Sequence, residues 1–348
     1  MDRNQWFMMK AARFYGPGKP LIIEEVPKPA PGPGEVLVRV NAAGVCHTDL
    51  HFIDGVLNLG VAPITLGHEI AGTIEEVGPG VTEVKVGDRV IVYYYVGCGR
   101  CRFCLRGEEN LCENPKAEYG FITDGGYAQY VKVPARNAVK LPDNITFEQA
   151  APIGCSVTTA IHATRRAMPN VGDYVVVYGV GAVGFALIQY NKLIGAEVIA
   201  VGRTDSKLRL ARELGADHVI NARVEDVVKR VKEITNGRGA DVVYELVGSR
   251  ETMNNSVRML ARRGRLVFIG YGFDKLEVNP LDLVVKEATI TASVGNTLEE
   301  LIEAVKLVSE GKIKVIVDRV SSLGRINEEL DRLRRGEALG RIVINPWA

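Results

Sequence analysis

The residues best suited to chemistry are four cysteines in one short segment. They follow the spacing C-x2-C-x2-C-x7-C, at Cys98, Cys101, Cys104 and Cys112. Four thiolates so closely spaced can surround one Zn²⁺ tetrahedrally at about 2.3 Å each. Because such a set leaves no ligand position for a substrate, the spacing predicts a structural zinc site in a lobe of about residues 97–113.

The same cysteines could instead form disulfides or remain buried thiols. Disulfides at this density are typical of small secreted chains, whereas this chain has 348 residues and no apolar N-terminal segment of the secretory kind. Zinc is therefore favoured, and metallated cysteines fit a reducing cytoplasm. Arg100, Arg102 and Arg106 could also suggest a nucleic-acid zinc ribbon, but solvated loop charges explain them more simply.

Two further cysteines, Cys46 and Cys155, lie far apart in the sequence, each in a small glycine-bounded segment. Between them lies Gly67-His68-Glu69. Two cysteines and a histidine from three distant segments, with an open fourth position, are a ligand set of catalytic zinc. Spacing alone does not decide whether this second metal site exists, because a lone cysteine is more often a small buried hydrophobe.

Composition limits the classes of partner. Lys and Arg number 43 against 42 Asp and Glu, so no strong field for nucleic acid or an anionic membrane is expected. The uncharged run from Tyr174 to Asn191 nearly reaches the length of a membrane span. Its glycines and polar end favour a buried strand, a turn and the start of a helix. We therefore predict neither a nucleic-acid nor a membrane partner.

The pattern of apolar residues changes near residue 157. Before it, short β-branched runs are bounded by Pro and Gly, which is typical of a β-rich domain. After it, apolar strands alternate with amphipathic helices, which is typical of parallel βαβ units. The length also suggests two domains.

A glycine-rich loop directly follows the predicted strand Tyr174–Tyr178. It has the form G-x-G-x-x-G, and its residues are Gly179, Val180, Gly181, Ala182, Val183 and Gly184. In a strand-turn-helix context, this motif predicts a dinucleotide site whose pyrophosphate lies at the helix N terminus.

The end of the next strand distinguishes NAD from NADP. It reads Val201-Gly202-Arg203-Thr204, with no acid to bind the ribose hydroxyls. An arginine can bind a phosphate bidentately. NADP(H) is therefore favoured. NAD(H) remains possible, because Asp205 could reach the ribose after a small shift and Arg203 could stack on adenine instead.

Together these features resemble the zinc-dependent medium-chain alcohol dehydrogenases, from about Met9 to Arg341. Gly67-His68-Glu69, the four-cysteine lobe and the glycine loop after Cys155 carry the resemblance. It implies an α/β fold with a β-rich GroES-like catalytic domain at 1–156. It also implies a Rossmann domain with a doubly wound parallel sheet at 157–294, and a return to the catalytic domain at 295–348. Residues 1–8 look like an extension.

The resemblance also implies roles for single residues. The catalytic zinc, the second ion per subunit, would be held by Cys46, His68 and Cys155, with Glu69 beside it. The catalytic roles fall to Thr48 at the substrate oxygen, His51 in a proton relay and Asp49 behind the histidine ligand. Thr48 and Asp49 could instead form a turn or helix cap, and His51 could be merely exposed. The cofactor contacts are Thr159 at the nicotinamide, Lys207 at a ribose and Arg341 at the pyrophosphate.

The implied activity is reversible hydride transfer between an alcohol and NAD(P). Tyr93, Tyr94 and Tyr95 precede the lobe, where the family lines its substrate pocket, and aromatic walls favour apolar aliphatic, cyclic or aromatic substrates. The family also implies a homo-oligomer, with a tetramer favoured and a dimer as the alternative, and Val267–Gly270 and Ile290–Val294 could pair across subunits. Two alternatives remain: a zinc-free quinone or enoyl reductase of the same superfamily, and a catalytically silent zinc- and nucleotide-binding protein.

Overall fold

The computed structural model describes residues 7–348, and within them the chain divides into two compact units. The first unit runs to Cys155 and also includes Thr297–Ser309 and Val315–Ala348. The second comprises Ser156–Asn296 and Glu310–Lys314. Of the predicted extension at residues 1–8, positions 1–6 lie outside the described residues.

The elements before residue 158 are mostly short strands. In chain order they are β1 (Met8–Phe14), β2 (Ile22–Pro27), β3 (Glu35–Val45), α1 (His47–Ile53), β4 (Ile64–Thr65), β5 (Glu69–Val77), β6 (Arg89–Val92), β7 (Tyr95–Val96), β8 (Ala117–Glu118), β9 (Tyr130–Pro134), β10 (Ala138–Lys140) and α2 (Phe147–Pro152). A π-helical turn, Ile153–Val157, follows α2.

Strands and helices then alternate. In chain order they are α3 (Thr158–Ala167), β11 (Tyr174–Tyr178), α4 (Ala182–Ile194), β12 (Glu197–Gly202), α5 (Asp205–Glu213), β13 (His218–Asn221), α6 (Val227–Ile234), β14 (Ala240–Glu245), α7 (Arg250–Arg258), β15 (Leu260–Phe268), α8 (Pro280–Val284), β16 (Thr289–Ala292), α9 (Leu298–Ser309), β17 (Val317–Ser322), α10 (Ile326–Arg334) and β18 (Arg341–Asn345).

The main sheet of the first unit has the order β10-β6-β5-β3-β18-β17, and β9 also pairs with β3. β3 is antiparallel to both β5 and β18, and Gly44 lies opposite Glu69 in the register. The end of β3 therefore lies beside the start of β5. This pairing brings Cys46, which follows β3, close to His68, which precedes β5.

The sheet of the second unit is parallel throughout, with the order β13-β12-β11-β14-β15-β16. This is the 3-2-1-4-5-6 order of a doubly wound dinucleotide-binding fold, in which ligands bind where the strand order reverses. That point lies between β11 and β14. Core residues such as Val176, Ile199 and Val243 are fully buried, as expected for a sheet covered on both faces.

Two sequence expectations about this second unit can be compared with the structure. The run Tyr174–Asn191 forms β11, the glycine loop and most of α4, as predicted. The suggested pairing of Val267–Gly270 across subunits is wrong for Val267 and Phe268, because β15 already pairs with β14 and β16. Among the helices within residues 7–348, none combines the length and apolar character needed to cross a bilayer.

Candidate metal centres and cofactor loop

Four buried donors from separate parts of the first unit converge at one point. They are Cys46, His68, Glu69 and Cys155, and their ligand atoms all lie within 4.8 Å of one another. Cys46 caps the N terminus of α1, and Cys155 lies in the π-helical turn. The structure thus brings together all four residues that the family resemblance assigned to the catalytic metal.

The donor geometry suits zinc. The Sγ atoms of Cys46 and Cys155 are 3.9 Å apart. Two thiolates bound tetrahedrally to one ion at about 2.3 Å would be separated by about 3.8 Å. In addition, Oε2 of Glu69 is buried without a hydrogen bond among residues 7–348. A buried carboxylate oxygen of this kind fits a cation.

The proton affinities of these donors also reflect the crowding of anionic groups. The hydrogen bond between the two thiols lowers the pKa of Cys46 and raises that of Cys155. Burial alone would lower the pKa of His68, but the neighbouring Cys46, Asp49 and Glu69 raise it to about 9. The site therefore favours positive charge, and a zinc ion supplies it without protons.

Asp49 occupies the position predicted for a residue behind the histidine ligand. Its Oδ1 lies 4.0 Å from Nδ1 of His68. Its Oδ2 accepts hydrogen bonds from the Cys46 N–H at 2.9 Å and from the Tyr127 hydroxyl at 2.6 Å. Asp49 is thus also part of the cap of α1. Sequence reasoning missed Tyr127, whose place beside Gly125-Gly126 was its only signal.

Glu69 forms a buried ion pair with Arg341, with Oε1 and Nη2 2.8 Å apart. Arg341 also donates a hydrogen bond to the Val45 carbonyl at 3.3 Å. Burial raises the pKa of Glu69 to about 8, although Arg341 opposes the shift. A Cβ at Gly44 would stand 1.9 Å from Glu69 Oε2, so glycine makes room for this carboxylate. The pyrophosphate role of Arg341 stays a prediction.

The two other predicted catalytic residues lie on α1. Thr48 is half-buried, and its Oγ1 is 3.6 Å from Cys46 Sγ. His51 follows three residues later and therefore projects from a neighbouring part of the same helix face. Its ring packs edge-on against His47 at 5.2 Å, and partial burial lowers its pKa. A hydroxyl and a near-neutral imidazole on one face can pass a proton.

The four-cysteine lobe forms a second centre, with its sulfur atoms within 4.8 Å of one another. The Sγ atoms of Cys98 and Cys104 are 3.9 Å apart, and those of Cys101 and Cys112 are 4.0 Å apart. All four cysteines are free, so the disulfide alternative does not apply. Backbone N–H groups, first of Cys104 and then of Glu113, lower the pKa of Cys101 to about 6, which favours a thiolate ligand.

Glu109 holds the lobe and was not predicted from the sequence. It is buried, accepts a hydrogen bond from the Gly97 N–H at 2.8 Å and pairs with Arg136. A Cβ at Gly97 would lie 2.5 Å from Cys104 Sγ. The lobe therefore needs both the glycine before its first cysteine and the carboxylate beside it.

Two aromatic rings lie beside His68, a member of the candidate catalytic donor set Cys46, His68, Glu69 and Cys155. The Tyr94 ring lies 5.3 Å from the His68 ring, and the Phe121 ring lies 5.0 Å from it. Tyr94 and Phe121 also stack on each other at 5.7 Å. The sequence indicated the tyrosines, whereas nothing in the pattern around Phe121 distinguished it.

The glycine loop of the second unit has the geometry that its motif predicts. Gly179 has a φ of +120°, in the region that favours glycine. A Cβ at Gly184 would lie 2.2 Å from the Gly179 carbonyl oxygen, so glycine allows close packing of helix and strand. Gly181 caps α4 and has open space around it, while Ala182 and Val183 form the first turn. The free N–H groups there suit a pyrophosphate.

Arg203, which was predicted to contact a phosphate of NADP, directly follows β12. Arg203 is exposed and forms no hydrogen bond or ion pair within residues 7–348. A Cβ at Gly202 would stand 2.4 Å from Val180 Cγ2, so an acidic side chain would require a shift there. Asp205 instead accepts a hydrogen bond from Asn221 at 2.7 Å. The other predicted contacts are Thr204, which caps α5, Lys207 on α5 and Thr159 on α3.

Two family sequence models match the chain. "Alcohol dehydrogenase GroES-like domain" matches residues 32–143, and "Zinc-binding dehydrogenase" matches residues 182–310. The chain is 42% identical over 338 residues to an alcohol dehydrogenase of Geobacillus stearothermophilus, covering 97% of this chain and 99% of that protein. It is 38% identical over 349 residues to an NAD-dependent alcohol dehydrogenase of Sulfurisphaera tokodaii, covering 97% and 100%.

The fold is similarly close to a solved structure. The crystal structure of the alcohol dehydrogenase from Aeropyrum pernix has a TM-score of 0.91 with this chain, at 40% identity, over 97% of this chain and 100% of that chain. These matches confirm the predicted combination of a GroES-like domain and a Rossmann sheet. The chain therefore belongs to the family of zinc-dependent medium-chain alcohol dehydrogenases.

Proposed function

We propose that the protein is a zinc-dependent, NADP-preferring dehydrogenase that interconverts apolar alcohols with their ketones or aldehydes. The observation that carries the proposal is the buried convergence of Cys46, His68, Glu69 and Cys155 within 4.8 Å. The similarity to alcohol dehydrogenases supports the reaction class. The metal content, the cofactor preference and the substrate class are the parts that experiments must decide.

Two zinc ions per subunit are proposed. The catalytic ion would be held by Cys46, His68 and Cys155 with Glu69 beside it, and the structural ion by the four lobe cysteines. Zn²⁺ at the first site would supply Lewis-acid polarisation of the substrate oxygen, and the nicotinamide would accept or return the hydride. Metal analysis tests this proposal, because about two zinc ions per subunit are expected. A zinc-free protein that reduces quinones would contradict it and support the superfamily alternative.

The chain's own residues would handle the proton. Thr48 would accept a hydrogen bond from the alcohol, and the 3.6 Å distance between its Oγ1 and Cys46 Sγ supports this role. His51, on the same helix face, would take the proton on towards solvent, since it is only half-buried. Asp49 would act through His68 by orienting its ring, and Tyr127 would hold Asp49.

NADP(H) is the proposed preferred cofactor. The support is the pair Gly202-Arg203 at the end of β12: the first carries no acid, and the second is an exposed guanidinium. The glycine loop would hold the pyrophosphate. Thr204, Lys207, Thr159 and Arg341 remain proposed cofactor contacts. NAD(H) use is the alternative outcome, and relatives named as NAD-dependent make it a necessary comparison.

The decisive experiment compares kcat/KM for NADP⁺ and NAD⁺ in the wild type and in R203A. Charge-assisted hydrogen bonds contribute about 1.5–3 kcal/mol, which corresponds to roughly a 10- to 100-fold rise in KM for NADP⁺. KM for NAD⁺ should change little. Arg209 is also exposed, on α5, so R209A is the matched control. An equal loss with both cofactors in R203A would contradict a phosphate role.

The proposed substrates are aliphatic, cyclic or aromatic, because Tyr94 and Phe121 place aromatic surface beside His68. Steady-state assays on such alcohols, with sorbitol as a polyol, test this class. Higher kcat/KM for sorbitol than for cyclohexanol would contradict it. Turnover of no alcohol or ketone, despite nucleotide binding, would instead indicate a catalytically silent protein.

A homotetramer in the cytoplasm completes the proposal. The order of the parallel sheet ends at β16, which leaves one side of this strand for a partner. Exposed apolar residues flank β16 in the sequence, among them Leu281, Val284 and Val294. Sedimentation equilibrium should give the mass of four chains, and a monomer would contradict the assignment. Cell fractionation tests the compartment.

A further inference from the structure

Residues Tyr93 and Tyr94 connect β6 to β7 without belonging to either strand. One buried side chain, Asn137, holds this connection. The Tyr93 N–H donates to the Asn137 carbonyl at 2.8 Å. The side-chain Nδ2 of Asn137 donates to the carbonyls of both Tyr93 and Tyr95, each at 2.7 Å. Asn137 thus accepts one hydrogen bond and donates two, and together they fix the backbone on both sides of Tyr94.

The chemistry of this contact requires a primary amide. Two carbonyl oxygens both face the same atom, so that atom must carry two protons. Among side chains of this size, the amide NH2 of asparagine meets the requirement. A carboxylate would place lone pairs against both carbonyls, and a serine hydroxyl could serve only one of them. Asn137 is also fully buried, so water does not replace it.

The clamped segment presents Tyr94 to the catalytic donor set. The Tyr94 ring lies 5.3 Å from the His68 ring and stacks on Phe121 at 5.7 Å. The ring also packs against Tyr95, with the ring centroids 4.3 Å apart. The Tyr94 carbonyl accepts a hydrogen bond from the Tyr119 N–H at 2.9 Å. Its ring position therefore depends on a backbone path that Asn137 defines.

We propose that Asn137 is a positioning residue for substrate selection. It fixes the backbone around Tyr94, and Tyr94 then forms an aromatic wall beside His68 that limits the size of the alcohol accepted. The inference rests on the proposed function, because it requires the alcohol to react next to His68. Asn137 would act through the backbone of Tyr93 and Tyr95, to which its side chain donates, and not by contact with the substrate.

The first test compares 2-propanol with the bulkier 1-phenylethanol in the wild type and in N137D. This variant keeps the shape of the side chain but no longer has one atom that donates to both carbonyls. With the Tyr94 ring less firmly held, the site should bind the bulky alcohol more readily. The ratio of kcat/KM for 1-phenylethanol to that for 2-propanol should rise about tenfold, the size of effect that pocket contacts give. The change should reside in KM for the alcohol. KM for the cofactor and zinc content should stay at wild-type values.

The matched control is N191D in the second unit. Asn191 is also fully buried, and its Nδ2 donates to the Leu187 carbonyl at 2.9 Å and to Thr164 at 3.2 Å. This variant should lose stability without changing the ratio. A ratio that rises equally in N191D would overturn the inference, because general loosening would then explain it. If N137D does not fold, N137S, which retains one donor, is measured against the same control.

A double-mutant cycle tests the route through Tyr94. In a Y94A background, N137D should no longer alter the ratio, since the wall is already gone. An unchanged or lower ratio in N137D, or the same rise with and without Tyr94, would overturn the inference. A wild-type enzyme that oxidises neither alcohol would instead refute the proposed function, so the two failures are distinguishable.

Discussion

Replacing Gly97 with alanine should release the structural zinc ion. A Cβ at this position would stand 2.5 Å from Cys104 Sγ and 2.9 Å from Glu109 Cγ. Non-bonded heavy atoms prefer about 3.5–4.0 Å, so the sulfur would have to move by roughly 1 Å or more. Zinc–ligand distances tolerate only about 0.2 Å. G97A should therefore remove Cys104 from the ligand set.

The expected loss of zinc affinity can be worked out from the contribution of one of the four ligands to the binding free energy. Structural zinc sites bind with about 10–16 kcal/mol, so an even share for each of four thiolates is about 3 kcal/mol. This corresponds to roughly a hundredfold weaker binding. Loss of the hydrogen bond between Gly97 and Glu109 would add to the effect. The proposed catalytic ion should be unaffected, because its proposed ligands Cys46, His68 and Cys155 lie outside the lobe.

The assay is zinc release to a chromophoric chelator at increasing concentration. G97A should lose one of two ions at concentrations where the wild type keeps both. It should start with wild-type activity and lose it faster on heating. G324A is the matched control, because a Cβ at Gly324 meets no atom within 4 Å. If G97A keeps both ions with wild-type resistance to the chelator, the packing argument is wrong.

Three further predictions concern other parts of the chain. T48A should lower kcat/KM by about 10²–10⁴-fold through loss of proton transfer, while T48S stays within about tenfold; equal effects in steady-state assays would count against a hydroxyl role. Y127F removes a donor to Asp49 and should weaken catalytic zinc binding about 10–100-fold in competitive titrations; an unchanged affinity would show that Tyr127 only packs. Burial alone would raise the pKa of Asp217, but hydrogen bonds from Lys192 and a backbone N–H lower it below 3.8. The contribution of Asp217 to the free energy of unfolding is present above pH 3.8 and is lost as pH falls through the lowered pKa. In urea titrations at a series of pH values, D217N should therefore lose less stability on acidification than the wild type. An equal loss in both proteins would contradict the assignment.

Features encoded by neighbouring residues were predictable from the sequence. β11 and the glycine loop were recognised because an apolar run ends directly in G-x-G-x-x-G. The four lobe cysteines were recognised because their spacing lies within one segment. The catalytic donors needed the family resemblance, since Cys46 and Cys155 are joined only by the fold. The family resemblance assigned these residues to one site, but it did not predict which residues pack around that site.

Contacts between distant residues were not predictable. Tyr127 and Asp49 are separated by 78 positions, and no local periodicity links them. The same applies to Glu109 and Asn137, whose hydrogen-bond partners lie 12 to 44 positions away in the sequence. One missed feature did have a local signal: Pro152 lacks the N–H that continues an α-helix, and the chain forms a π-helical turn at the next residue. That turn is where Cys155 lies.

The position of β18 has a consequence for the order of events during synthesis. This strand lies between β3 and β17, and it carries Arg341, the countercharge of Glu69. The ribosome adds roughly 5–20 residues per second, so the 186 positions from Cys155 to Arg341 take roughly 10–40 s. Throughout that interval Cys46, His68, Glu69 and Cys155 have been synthesised, but β3 lacks its neighbour β18 and Glu69 lacks its countercharge. The nucleotide-binding half can finish folding first, and a nascent chain must keep its thiols reduced until the last strand arrives.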